Sequence, residues 1–344
     1  LRGILLELII IRVLKVLKTK RMPMKVFFVC GGNIKNFEIV PFIKEQGESL
    51  KEQGIDVDYF PVVGKGFWGY LKAGMKIRRH CKKNRYDLIH AHYTYSGWAA
   101  VIGSGKIPVV LSLLGSDAYG NFIGVNKVSL SSRFSTLSTW LIQPFVREII
   151  SKSKNIEKYV YLKHKSNLIP NGINKRKFNP KTINGTCRCP NKKRNVLFLG
   201  NKKDVRKNYS LAEAAVAKLP FSNVELINPY PIAHSEVPLY LAKADVIVVP
   251  SLMEGSPNIV KEAMACNCPI VATDIGDVRW VLGNTEGCYI SSFDVDEFSE
   301  RIKEALIFSE TVGRTKGREQ ILKLGLDSET IAKQIIEVYK KAVS

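Results

Sequence analysis

Acidic residues are scarce in this 344-residue chain, 31 Asp and Glu against 52 Lys and Arg, and the net charge is +21. Such an excess calls for an anionic partner: phospholipid headgroups, phosphorylated small molecules or nucleic acid. Nucleic acid is disfavoured, because the most basic stretch, 68–85, has no aromatic residues interleaved among its charges. No run reaches about eighteen uninterrupted apolar residues, so no spanning helix is expected. Metal-site spacing is missing too. The closest cysteines of the seven, Cys187-x-Cys189 and Cys266-x-Cys268, lack the two-residue gap of a zinc knuckle. They read as reduced thiols in a cytoplasm, with no metal. Repeats at solenoid periods are absent. The first 23 residues lack the apolar core and small-residue cleavage site of a secretory leader.

What is present fits an α/β protein. Hydrophobic content of 45% and charged content of 24% are ordinary, and the length suffices for two domains with sizeable cores. Residues 1–23 form a basic amphipathic extension: Glu7, Arg12, Lys15 and Lys18 share one helical arc against Ile and Leu. It suits an anionic membrane surface, or it is an upstream extension without consequence. From Met24 on, strands at 25–30, 56–62, 87–92 and 108–114 alternate with helices at 38–53 and 68–85. A further helix is expected over 128–147. Gly31-Gly32 follows the first strand without the third glycine of a dinucleotide fingerprint, so it is a tight turn or a close approach to a bound group. Asp56-x-Asp58 is set aside as a metal motif, since strand alternation puts both carboxylates on one face with no further ligand in view. The basic helix at 68–85 is a solvated face or a contact with anionic lipid. His92 ends the third strand, on the side where open α/β sheets bind ligands.

The chain is organised around 246–283. Val246 to Val249 is a β-branched run suited to a buried parallel strand. Glu254-Gly255 turns, Ser256 is the expected N-cap and Pro257 the first helical position. The helix runs through Ile259, Val260, Ala263 and Met264, and Asn267 closes it in the left-handed conformation. The amides of Asn258, Ile259 and Val260 then converge on a point that attracts phosphate. Glu254 and Glu262 stand eight positions apart at that point.

The segment PSLMEGSPNIVKEAMACNCPIVATDIGD resembles the donor-binding signature of the group 1 retaining glycosyltransferases, with its E-x7-E pair. The resemblance extends over most of the chain from Met24. It implies the glycosyltransferase B fold: two doubly wound Rossmann-like domains facing each other across a cleft. The segment from Ile169, IPNGINKRKFNP, resembles the family's handover between domains. The expected division is an acceptor-side domain at 24–172, a donor-binding domain at 173–327 and a helix at 328–344 packing back on the first domain.

The resemblance assigns residues as well. Gly31 and Gly32 face the donor diphosphate. Lys207 grips it; Asn201 stands where the family carries Arg, and Lys202, Lys203 or Arg206 is left to compensate. Ser256, Asn258, Ile259 and Val260 supply the helix start, Glu262 accepts from sugar hydroxyls, and Glu254 faces the reacting sugar. Many members have His where this chain has Leu114, so His92 or Asp117 is left to supply that polar contact. The expected activity is metal-independent transfer of a hexose, with retention, from a UDP- or GDP-sugar to a hydroxyl. The acceptor expected is a lipid-linked glycan in surface polysaccharide biosynthesis, at the cytoplasmic membrane face. A nucleotide-sugar epimerase of the same fold and a non-catalytic, membrane-associated sugar-nucleotide binder are the alternatives.

Overall fold

The computed structural model describes residues 23–33, 39–64, 66–125, 127–180 and 193–344. The expectations for residues 1–22, Cys187, Cys189 and the 181–192 loop lie outside these.

The first lobe begins with β1 (Lys25–Gly31), α1 (Pro41–Glu52), β2 (Asp56–Val62), α2 (Gly66–Lys83), β3 (Leu88–His92), α3 (Thr94–Ser104) and β4 (Val109–Leu113). A short α4 (Ser116–Tyr119), the hairpin β5 (Phe122–Gly124) and β6 (Lys127–Val128), and α5 (Arg133–Ile142) follow. The lobe closes with β7 (Glu148–Ser151), α6 (Lys154–Glu157) and β8 (Ser166–Leu168). The long helix expected over 128–147 is broken: single 3-10 turns at 130–132 and 143–145 flank α5, and Pro144 cannot continue a helix.

The second lobe runs β9 (Arg194–Leu197), α7 (Tyr209–Ala217), β10 (Val224–Ile227), α8 (Val237–Lys243), β11 (Val246–Val249), α9 (Asn258–Ala265), β12 (Ile270–Thr273), α10 (Val278–Leu282) and β13 (Cys288–Ser291). Then come α11 (Val295–Thr311), α12 (Gly317–Lys323) and α13 (Ser328–Val343).

Each lobe has one parallel sheet, ordered β2-β1-β3-β4-β7-β8 in the first and β10-β9-β11-β12-β13 in the second. Helices cover both faces, so the central strands are apolar throughout; β11, Val-Ile-Val-Val, is wholly buried. The strand order reverses beside β1 and beside β9. In open α/β sheets ligands bind outside the carboxyl ends of strands at such points.

The last helix ties the lobes together. Asp327 caps it through the Thr330 N–H, and Lys340 and Lys341 sit at its negative end. Ile331, Ile335 and Tyr339 join one apolar core with Val26 and Leu88 of the first lobe and Ile247 and Ala263 of the second. Tyr339 meets His90 at 2.6 Å and Lys341 donates to Glu148 at 2.9 Å.

Candidate active site between the two sheets

A cleft of about 500 Å³ lies where the carboxyl ends of the two sheets face each other. The turn after β9 gives it Gly200, Asn201 and Lys207; the turn after β11 gives Glu254 to Ile259; α9 gives Glu262. Leu114 after β4, Lys152 after β7 and Asn171 after β8 close it from the first lobe, and Tyr230 and His234 come from the loop after β10.

Lys207 and Glu254 form an ion pair on the cleft wall. Asp204 accepts the Arg206 N–H and shapes the 205–207 turn that presents Lys207. Arg206 turns its guanidinium back to Asp204, 2.7 Å away, and lines a smaller cavity of about 80 Å³ beside Leu114, Tyr119 and Glu254. The Asn201 side chain accepts the Lys203 N–H, which fixes the same loop. Gly255 brings the second lobe against the first: a Cβ there would meet Ile156 at 2.6 Å and the Leu114 carbonyl at 3.2 Å.

Asn258 and Ile259 line the cleft from the first turn of α9, whereas the Val260 side chain is wholly buried. Ser256 is not the N-cap. Pro257 takes that position, with no side-chain cap. Ser256 instead donates to Asp277 at 2.5 Å and accepts from Lys261 at 2.7 Å. Asp277 from another segment and Lys261 of α9 itself captured the hydroxyl, and Lys261, fully buried, also reaches the Asn171 carbonyl. Asn267 has φ 54°, the left-handed conformation expected after this helix.

Glu262 is buried and meets His234 Nε2 at 2.8 Å. Glu45 of α1 approaches His234 at 3.4 Å and accepts from Lys177 at 2.6 Å. Burial would lower the His234 pKa, but the hydrogen bonds to Glu262 and Glu45 outweigh it and push it up to about 9. Lys177, 2.7 Å from Nδ1, works against the second ring proton. The sequence reading missed this network. Its members are far apart in the chain: His234 lies 28 residues before Glu262, and Glu45 lies 189 residues before His234.

Four first-lobe expectations are corrected. His92 is fully buried with neither ring nitrogen bonded, packed 4.2 Å from His90 and 4.7 Å from Phe28. It shares its strand face with His90, which meets Tyr339 of α13, and it stays behind Lys152 without lining the cleft itself. Asp117 is equally buried. It accepts the N–H groups of Thr94, Leu114 and Gly115, so it holds the turn that carries Leu114 and does not itself line the cleft. Burial raises its pKa and those donors oppose the rise. Gly31 and Gly32 are not among the cleft residues; a Cβ on Gly32 would meet Pro61 at 2.7 Å, a packing reason for that glycine.

Lys152 is the group that sequence reasoning passed over. It is 2% exposed, lines the cleft, and its amine has no partner. Burial, with the Lys261 charge adding to it, pushes the ammonium down to about 7. The one signal available was a lysine directly after an apolar strand. Asp56 and Asp58 are occupied by Lys25, and no group of three His, Cys, Asp or Glu among the described residues could hold a metal ion.

Two sequence families match the chain: "Glycosyl transferases group 1" over residues 196–307 and "Glycosyltransferase Family 4" over 33–177. An uncharacterized glycosyltransferase of Methanocaldococcus jannaschii is 29% identical over 274 residues, 72% of this chain and 73% of that one. The putative teichuronic acid biosynthesis glycosyltransferase TuaC of Bacillus subtilis is 26% identical over 63% of this chain and 60% of its own. Among solved structures, sucrose-phosphate synthase of Thermosynechococcus elongatus superposes with a TM-score of 0.73 at 19% identity, covering 92% of this chain and 98% of that one. Anabaena HepE in complex with UDP and glucose gives 0.68 at 14%, covering 92% and 99%.

Proposed function

We propose that this chain is a glycosyltransferase of the GT-B fold, and that it moves a hexose, with retention, from a UDP- or GDP-sugar to a hydroxyl of a lipid-linked glycan. The observation that carries this reading is the meeting of Lys207, Glu254 and the first turn of α9 in one cleft between two sheets.

The leaving group is a nucleoside diphosphate, so the barrier falls chiefly by stabilising charge on its β-phosphate. Lys207 and the amides at 258–260 supply positive charge there, without a metal. In the free protein Lys207 is neutralised by Glu254. An arriving diphosphate competes for the ammonium. The released Glu254 carboxylate then faces the sugar, where it stabilises positive charge developing at the transferred carbon or holds hydroxyls. Glu262, oriented by His234, accepts from donor hydroxyls.

The setting proposed is surface polysaccharide assembly on the cytoplasmic face of the cell membrane, with peripheral attachment. The resemblance to TuaC favours a polysaccharide product. The exposed Lys72, Lys76, Arg78, Arg79, Lys82 and Lys83 of α2 favour an anionic lipid surface. None of the described helices is long and apolar enough to cross a membrane.

A panel of nucleotide sugars, read by thermal stabilisation, tests the reading. A UDP- or GDP-sugar should raise the melting temperature of the native protein. The shift should shrink in Lys207→Ala, and Glu254→Gln should bind donor while losing turnover. Unchanged turnover in Glu254→Gln removes the catalytic role of that carboxylate. Conversion of donor with no acceptor present points to epimerisation instead.

A further inference from the structure

A second cavity, of about 750 Å³, opens on the first lobe away from the donor wall. It lies between α2, α3 and α5, and its lining is almost entirely apolar: Tyr70, Tyr95, Trp98, Ile102, Leu137 and Leu141 carry the argument. The surroundings are unusually apolar for a surface. Trp68, Phe134, Trp140 and Phe145 are each at least 47% exposed around it. Trp98 fixes the floor by donating to Ser138 across to α5 at 2.8 Å.

Two observations say what covers it. The first is position. Tyr70 and Tyr95 stand in the opening turns of α2 and α3, which follow the carboxyl ends of β2 and β3, so the groove begins at the rim of the cleft. The rings of Tyr70 and Tyr95 lie 5.4 Å apart, Tyr95 and Tyr93 5.9 Å, and the Tyr93 hydroxyl reaches Ser116 at 3.4 Å. Ser116 belongs to the turn that carries Leu114 into the cleft. A continuous aromatic track therefore joins groove and cleft. Tyr93 sits in this track at φ 81°, a backbone state rarely adopted outside glycine. The second observation is charge. Lys72, Lys76 and Arg79 of α2 and Arg133 of α5 are exposed on the elements that form the groove. On α2 these cations lie on the far side of the helix from Tyr70 and Leu71, so the groove opens on a lobe whose outer surface is cationic, which matches an amphiphile whose hydrocarbon chain is drawn from an anionic lipid surface.

We propose that this groove takes the hydrocarbon chain of a lipid-phosphate-linked acceptor, and that the acceptor head enters the cleft along Tyr95 and Tyr93. The inference rests on the glycosyltransferase reading and adds to that same site the place where the acceptor's hydrocarbon chain is held.

A terminally brominated undecyl phosphate, below its micelle concentration, is a direct probe through tryptophan quenching. Trp98 lines the groove, Trp68 and Trp140 stand exposed on α2 and α5 that border it, and Trp280 lies in the second lobe and is an internal reference. Quenching of the full chain should saturate. Leu137→Asp with Leu141→Asp should weaken it about tenfold or more; both leucines are about half exposed, so the fold tolerates the change. Nucleotide-sugar stabilisation should be the same in both proteins. Absent quenching, or equal quenching in the variant, overturns the proposal. So does a variant that loses anionic vesicle binding, or self-association, when no saturable quenching existed in the parent; the patch is then a bilayer or dimer face. If no nucleotide sugar stabilises either protein, the glycosyltransferase reading fails, and quenching still judges the groove.

Discussion

The carboxyl edge of the second sheet and that of the first carry similar polar residues and use them oppositely. After β9 and β11 the chain sends Lys207, Glu254 and Glu262 into the cleft. After β3 and β4, His92 and Asp117 turn inward, one against Phe28 and the other onto three backbone amides. A polar residue at the end of a buried strand thus has two destinations. It faces a ligand where the following turn opens toward the partner lobe, and it satisfies the turn itself where that turn needs donors or acceptors.

The widest separation should come from substituting one residue of each kind. Lys207→Ala should lower kcat by about 10²–10³-fold, the effect of removing one preorganised charge from a transition state, with little change in melting temperature. Asp117→Ala should do the reverse. It strips acceptors from the N–H groups of Thr94, Leu114 and Gly115, a loss on the order of 3 kcal/mol, visible as a drop of several degrees in a thermal melt, while nucleotide affinity survives. If Asp117→Ala instead loses donor binding at unchanged stability, the two edges do not differ as described.

Lys152 is where the contrast should fray. Its buried, unpartnered amine belongs to the first lobe and yet lines the cleft. A hydrophobic side chain of similar length removes an uncompensated group, so Lys152→Met should stabilise the free protein by on the order of 2 kcal/mol. Because burial holds the folded value near 7 against 10.5 when unfolded, the penalty is full below pH 7 and gone above 10.5. The gain should therefore be largest at acidic pH. The same variant should show a smaller nucleotide-induced shift than the parent. An undiminished shift would return Lys152 to the purely structural side.

Much of the second lobe was legible because its signals are local. A β-branched run, a turn, a proline and an acid pair fix a strand end and a helix start within about twenty residues, and Asn267 adopts φ 54° as a residue that tolerates that conformation should. Ser256 misled for the same reason. Capping is a local rule, and the hydroxyl was taken by Lys261, five residues on in that same helix, and by Asp277, whose proximity depends on the fold. The direction of the β3 face depended on where α13 lands, more than two hundred residues later, and nothing in Asp87 to His92 encodes that. His234 was invisible as a partner of Glu262 because the loop after β10 has no periodicity to place it.

The smallest effect concerns that pair. His234 stands between Glu262, Glu45 and Lys177, and the carboxylates hold its folded value near 9 against 6.5 when unfolded. A value raised on folding adds stability that is fully present below pH 6.5 and is lost as the pH climbs through about 9. With the ring partly open to solvent, and Lys177 opposing the proton, the contribution is on the order of 1 kcal/mol. Wild type and His234→Gln should therefore differ in melting temperature below pH 6.5 and converge above 9, opposite to the trend at Lys152. Convergence also at low pH would mean that Glu262 is held by packing alone. The donor-side edge would then owe its order to the same inward satisfaction that governs the first lobe.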